Sequence, residues 1–167
     1  MPKFGLTLLV AGPLSLAVAQ GFAADKLSAQ DDTFMREAAQ GGLAEVQDAQ
    51  LAQQKGTGSE VKQFAGRMIT DHNKANTDLQ QIAQSKGLTP PAEPSSAQRS
   101  THDKLAKLSA AQFDREYMQG QVFDHEQTVT LFRKEVESGQ DPQLKVFAQK
   151  YLPTIEDHLR MAKSIKG

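Results

Sequence analysis

Residues 59–86, SEVKQFAGRMITDHNKANTDLQQIAQSK, decide the fold. Val61, Ala65, Met68, His72, Ala75, Leu79 and Ile82 recur at alternating spacings of four and three, which keeps them on one face of a long helix. Ser59 is placed to cap its start and Gly87 to end it. Three further segments read the same way. Residues 31–55 carry no Pro, with Asp31 or Asp32 as the cap and Gly56 and Gly58 beyond the end. Residues 109–138 place Ala111, Met118, Val122, His125, Val129, Phe132 and Val136 on one seam before Gly139. Residues 141–165 open on Asp141-Pro142, with the proline at the first helical position, and carry Leu144, Ala148, Tyr151, Ile155, His158, Ala162 and Ile165. Pro153, inside this last segment, predicts a kink one turn before His158.

Helices of about 25 to 30 residues are roughly 37 to 45 Å long, the length of a four-helix bundle. The connections at Gly56–Gly58 and Gly139–Asp141 are short, so each pair forms an antiparallel hairpin. Between the second and third long helices, Pro90, Pro91 and Pro94 forbid a helix interior, and a short helix over 97–108 follows. That stretch is long enough to cross the bundle from end to end, as in ferritin-like folds. The sequence therefore predicts an all-α, ferritin-like four-helix bundle with a long crossover and no strand. It also reads as a duplicated helical hairpin. Residues 34–41 and 113–120 share Phe, Arg, Glu, Gln and Gly at five places, an offset that pairs Asp124 with Glu45, and residues 61–65 echo residues 144–148.

Composition narrows the class further. The 167 residues include no Cys and no Trp, and 19 Lys plus Arg stand against 20 Asp plus Glu. No disulfide framework or thiolate metal site is available, and there is no basic footprint for nucleic acid. Lys3, the apolar run from Phe4 to Ala19 and the small residues after it read as a secretory signal peptide, 1–23, cleaved after Ala19 or Ala23. The run is too short for a membrane span and Pro13 interrupts it. The expected product is an exported, periplasmic or envelope-associated protein with a single domain over 31–166. An exported chain without Cys is held by its core alone, and any metal in it depends on imidazole and carboxylate.

Histidine placement carries the functional signal. His102 lies in the crossover, where a solvated side chain is expected. The other three follow aspartates, in Asp71-His72, Asp124-His125 and Asp157-His158, and each lies on the apolar seam of its helix. The aspartate before each is rotated about 100° away. Glu45 and His72 sit about 17 and 21 Å from the first hairpin turn, and His125 and His158 about 21 and 26 Å from the second. All four therefore fall near mid-height. The candidate metal ligands are Glu45, His72, His125 and His158, suited to Zn, Fe, Cu or Mn, with Asp71, Asp124 and Asp157 as outer partners that fix the imidazoles. A di-iron ferritin site requires Glu three residues before a ligating His, but those positions hold Ile69, Val122 and Ile155, which argues against oxidase chemistry. No nucleophile elbow, phosphate loop or dinucleotide fingerprint is present, and no catalytic residue is assigned. A second reading makes the histidines members of a buried polar network in a non-catalytic stress or envelope interaction module with an envelope partner.

The chain resembles the exported bacterial proteins of domain of unknown function 4142, often labelled outer membrane proteins and similar to ferritin-like bundles. The likeness runs over Asp32 to Ile165. It is carried by Glu45-Val46, by residues 61–65 with 68–72, by residues 113–117 with His125 and Leu131-Phe132, and by Leu152-Pro153 with His158-Leu159. The resemblance implies an exported helical bundle and brings no activity with it.

Overall fold

The computed structural model describes residues 26–165. The expected leader and its two cleavage positions lie outside the described residues, as does residue 166. The described residues are all-α, with five helices: α1 (Ala29–Lys55), α2 (Ser59–Ser85), α3 (Ser96–Leu105), α4 (Ala110–Ser138) and α5 (Pro142–Ser164). There is no strand among the described residues, and none of the helices is long and apolar enough to cross a membrane.

Boundaries follow local chemistry, with corrections to the sequence reading. Helix α1 starts two residues before the expected Asp31, because the Ser28 hydroxyl accepts from the Asp31 backbone N–H and caps the first turn. Helix α2 begins at Ser59 with Gly58 in the cap position, so Ser59 is the first helical residue and not the cap. Helix α3 is shorter than expected and is set by a capping box: Ser95 accepts from the Gln98 N–H, and the Gln98 side chain accepts from the Ser95 N–H. Asp141 caps α5 as predicted, accepting from the N–H groups of Gln143 and Leu144, and α5 continues through Pro153. Gly87 takes φ +67 after α2, a left-handed conformation that glycine adopts without steric cost.

The long helices pack as α1 on α2 and α4 on α5, and the two hairpins meet through α1 with α4 and α2 with α5; α3 leans on α1 and α4. The seams of α2 and α5 largely hold: Val61, Ala65, Met68, His72 and Leu79 are buried, as are Leu144, Ala148, Tyr151, Ile155, His158 and Ala162. On α4 Met118, His125, Val129 and Phe132 of the expected seam are buried, and the buried face is wider than that seam. Ala111 is exposed, while Phe113, Asp114, Tyr117, Gln121 and Glu135 are buried.

The same turn is built twice. Gly56 and Gly139 end their helices with nearly equal backbone angles, φ −58 and ψ 141 against φ −59 and ψ 145. A Cβ on either would meet the carbonyl oxygen four residues back at 2.6 Å, so both turns need glycine for close approach. Each turn is held by an aspartate from the opposite hairpin. Asp114 accepts from the Thr57 and Gly58 N–H groups at 3.1 and 2.8 Å, and Asp31 accepts from Gln140 and Asp141 at 2.8 and 3.2 Å. Turns and aspartates alike repeat at 83 residues, as do residues 61–65 and 144–148. The Phe34 to Phe113 pairing seen in sequence has an offset of 79 and is out of register by one helical turn, so Asp124 is not the counterpart of Glu45. A four-residue slip keeps the same helix face, which is why it looks convincing in sequence.

Two apolar clusters fill the interior. One gathers Phe34, Phe132 and Phe147 near the α4–α5 turn, with ring centroids 5.0 to 6.1 Å apart. The other gathers Phe64, Phe113 and Tyr117 near the α1–α2 turn. On every long helix the chain passes from one cluster to the other through a polar residue: Glu45, His72, His125 with Gln121, and His158. The core is thus cut across its middle by a polar layer, and each buried polar group there costs free energy unless something bonds it.

Candidate metal centre

Three of the four expected ligands come together. The imidazoles of His72, His125 and His158, from α2, α4 and α5, form a nearly equilateral triangle with centroids 5.8, 5.4 and 5.5 Å apart. Each offers one ring nitrogen within 4.8 Å of those of the other two. Nitrogens bound to one ion at about 2.0 to 2.1 Å lie roughly 3.3 to 3.6 Å apart, so the cluster needs a contraction of about 1 Å to close on an ion.

Hydrogen bonds fix which nitrogens are free. The Nδ1 of His125 lies 2.9 Å from the carbonyl oxygen of Gln121, which only accepts, so Nδ1 carries the proton and Nε2 keeps its lone pair. The Nε2 of His158 donates to Oδ2 of Asp71 at 2.9 Å, leaving the lone pair on Nδ1. His72 bonds to no other described group. His72 Nε2, His125 Nε2 and His158 Nδ1 are all buried without a partner. Burial holds the His72 imidazole well below its ordinary pKa, reinforced by repulsion from His125 and His158. Burial also lowers His125 to about 4, and lowers His158 despite the opposing pull of Asp71. The three rings are therefore neutral at pH 7, the form that binds metal.

Glu45 stands beside the triangle. Its Oε2 accepts from Gln121 Nε2 at 2.7 Å, and its Oε1 is 3.7 Å from His125 Nδ1, the nitrogen already committed to Gln121. Burial raises its carboxyl to about 8, so it is largely protonated at pH 7. Of the three aspartates expected as outer partners, only Asp71 reaches an imidazole, and that imidazole is His158 on the facing helix, not its neighbour His72. Asp157 pairs with Arg67 and Arg160, and Asp124 makes no hydrogen bond to a histidine. His102 is not a free surface side chain as expected: its Nδ1 is 2.6 Å from Asp48 Oδ1. Sequence reasoning missed Gln121, which holds both Glu45 and His125. Its place one turn before His125 on the buried face was the available signal.

A cavity of about 40 Å³ adjoins the triangle on the side of the Phe34 cluster. His72, His158, Glu45 and Asn76 line it together with Leu79, Phe132 and Ile155.

The family described as Domain of unknown function (DUF4142) matches residues 17–165. No curated protein matches the chain. Among solved structures, a DUF305 fragment from Deinococcus radiodurans is similar with a TM-score of 0.72 at 14% identity, covering 82% of this chain and 95% of that one. A DUF305 protein from Streptomyces coelicolor gives 0.67 at 16% identity, covering 80% and 89%. CopM, solved in its Cu(I)-bound form, gives 0.66 at 17% identity, covering 80% and 92%. At these identities the likeness is one of fold.

Proposed function

The chain belongs to the family of domain of unknown function DUF4142, and on that premise we propose that it is an exported metal-binding protein. Its ferritin-like bundle holds one monovalent copper ion between His72, His125 and His158. The observation that carries this reading is the set of three buried imidazoles that converge from three helices, each with a ring nitrogen left unpartnered. An unsatisfied buried polar group costs about 1 to 3 kcal/mol, and one ion relieves all three at once.

Charge favours Cu(I) over divalent ions. The ligands are neutral, the Glu45 carboxyl beside the triangle is held protonated by burial, and apolar clusters lie on both sides. Charging energy in a low-dielectric site grows with the square of the charge, so a divalent ion is roughly four times as costly there. Neutral imidazole is a good copper ligand, and a similar fold is known in a Cu(I)-bound form. Asp71 supports His158 as a carboxylate behind a metal-bound imidazole does, fixing its tautomer and orientation. Export rests on the leader-like residues 1–23. The test is metal analysis and Cu(I) competition against a chromophoric chelator, on protein purified without a His tag. One equivalent is expected in the wild type and none in the triple His72→Ala, His125→Ala, His158→Ala variant. Equal binding by both proteins rejects the reading.

A further inference from the structure

Two buried polar atoms of α4 bond to nothing among the described residues: the Tyr117 hydroxyl oxygen and Gln121 Oε1. Their residues are only 1% and 2% exposed. With Gly120 and Asp124 they fall at i, i+3, i+4 and i+7 on one helical face, and all four line a cleft of about 310 Å³ between α1, α3 and α4. We propose that this cleft binds a small organic amine, with its ammonium group against Asp48 and Gln121 and its hydrocarbon against Leu105 and Leu108.

The inner wall is rich in acceptors and short of donors. Gln121 Nε2 is committed to Glu45, and since the two polar atoms of an amide diverge, Oε1 is turned away from Glu45, which does not line the cleft. Burial raises the Tyr117 hydroxyl well above its ordinary pKa, and the carboxyls of Glu45 and Asp48 add to this, so a neutral hydroxyl stands near Asp48. Asp48 enters from α1. Its Oδ1 lies 2.6 Å from His102 Nδ1 on α3, which leaves Oδ2 without a described partner. Buried acceptors without donors cost free energy, and an ammonium brings three donors and no acceptor.

Charge and size narrow the class. Asp48, Glu116 and Asp124 place three carboxylates around the cleft against one cation, the exposed Lys104, which pairs with none of them. An anion is disfavoured there. Among the described residues only the imidazole triangle brings three ligand atoms within 4.8 Å of one another, so these carboxylates do not close on a bare metal ion. Nor does Asp48, with one oxygen taken by His102, offer the two free oxygens that a guanidinium fork prefers. Of the remaining polar groups, Gln112 is exposed and the Thr101 hydroxyl already donates to the Ala97 carbonyl. The volume is that of a small-molecule pocket.

Gly120 keeps the cleft open. It lies inside α4, where glycine weakens a helix, yet a Cβ there would meet nothing within 4 Å. Neither a turn nor a close helix contact calls for it.

Pentylamine, cationic at pH 7, is the probe, titrated into 15N-labelled protein in chelator and followed by 1H–15N spectra. Saturable shifts are expected at Asp48, Leu105, Tyr117 and Gln121, with an affinity at least tenfold above those of 1-pentanol and pentanoate, as a charged hydrogen bond implies. Gly120→Leu fills the cleft and Asp48→Asn removes the charge; each, shown folded by circular dichroism, is expected to weaken pentylamine at least tenfold. No saturable shift in the wild type overturns the proposal. So does equal binding of amine and alcohol, or unchanged affinity in folded Gly120→Leu. Chelator keeps every outcome independent of the copper reading.

Discussion

Asp31 and Asp114 stand 83 residues apart and perform the same task at opposite ends of the molecule: each binds the turn of the hairpin to which it does not belong. Both are almost fully buried, at 1% and 4% exposure. Between them they tie the two hairpins together at both ends, so the spacing of the four helices at mid-height, where the histidines meet, is fixed from both sides.

Removing either aspartate leaves two turn N–H groups without acceptors. Asp31→Ala and Asp114→Ala are each expected to lower stability by about 2 to 4 kcal/mol, since a stranded buried donor costs about 1 to 3 kcal/mol. The sites lie at opposite ends and share no partner, so the double variant should equal the two single losses to within about 0.5 kcal/mol. Urea denaturation measures all three. A loss below 1 kcal/mol in either single variant contradicts the role given to these residues.

Glu135 adds a pH dependence at the Asp31 end. It is fully buried and accepts from Gln30 Nε2 at 3.2 Å. Burial raises its carboxyl to about 7, assisted by the nearby Asp31 and Asp141. At Asp31 burial works upward too, but hydrogen bonds from Ser28, Gln140 and Asp141 outweigh it and leave the carboxyl below its ordinary value. The sign follows for each. Asp31 lends stability that is present above its unfolded pKa and lost as the pH falls through its folded one. Glu135 is easier to ionise unfolded than folded, so stability falls as the pH rises from about 4.5 to 7 and then levels. Glu135→Gln keeps the shape and removes the titration. Its stability relative to wild type should rise from near zero at pH 5 to about 2 to 3 kcal/mol at pH 8, at about 1.4 kcal/mol per pKa unit. The comparison cancels the histidines, which titrate in both proteins. A difference that does not change with pH rules out the assignment.

What the sequence discloses is what local spacing controls. The seams on residues 61–82 and 144–165 follow from apolar periodicity, and His72, His125 and His158 fall on or beside such seams because burial and helical period are written in neighbouring residues. Pairings between distant residues are not written there. The contacts of Asp31 with Gln140, of Asp71 with His158 and of Gln121 with Glu45 join residues 76 to 109 positions apart, and each depends on how one helix is rotated against another. The full width of the buried face of α4 is not legible in sequence, because Ala111 is as apolar as a core residue and yet exposed, while Asp114 and Gln121 are polar and yet buried.

Asp71 is predicted to matter for the ion as well as for the fold. It is half-exposed, and beyond His158 it bonds only Arg67 at 3.3 Å, an exposed ion pair worth little. Its carboxylate orients His158 from behind, and loss of such a partner typically costs 10- to 100-fold in metal affinity. Asp71→Ala should therefore weaken Cu(I) binding by about that factor in chelator competition, and lower apo stability by about 1 to 3 kcal/mol because it strands the buried His158 Nε2–H. Unchanged affinity would mean that packing against Phe64, whose ring lies 6.3 Å from that of His158, already fixes the imidazole.

The sharpest distinction between a metal centre and a structural polar network lies in the stability of the metal-free protein. A structural histidine stabilises through the bonds it makes, so replacing it should cost stability. His72 makes none with the described residues, and its buried Nε2 is unsatisfied. Leucine at this position returns the site to the two apolar clusters that flank it. His72→Leu is accordingly expected to stabilise the apo protein by about 1 to 2 kcal/mol, the penalty of a stranded polar atom. With Cu(I) the order should reverse. A ligand present at a thousand times its Kd adds about 4 kcal/mol to a protein that binds it, and the variant, left with two imidazoles, gains much less. Thermal melts of both proteins, with chelator and with Cu(I) under reducing conditions, give the four values required. If His72→Leu melts lower in both conditions, the imidazole serves the fold and the copper assignment fails; if it melts higher without the ion and lower with it, the residue is kept at a cost to stability that only ligand binding explains.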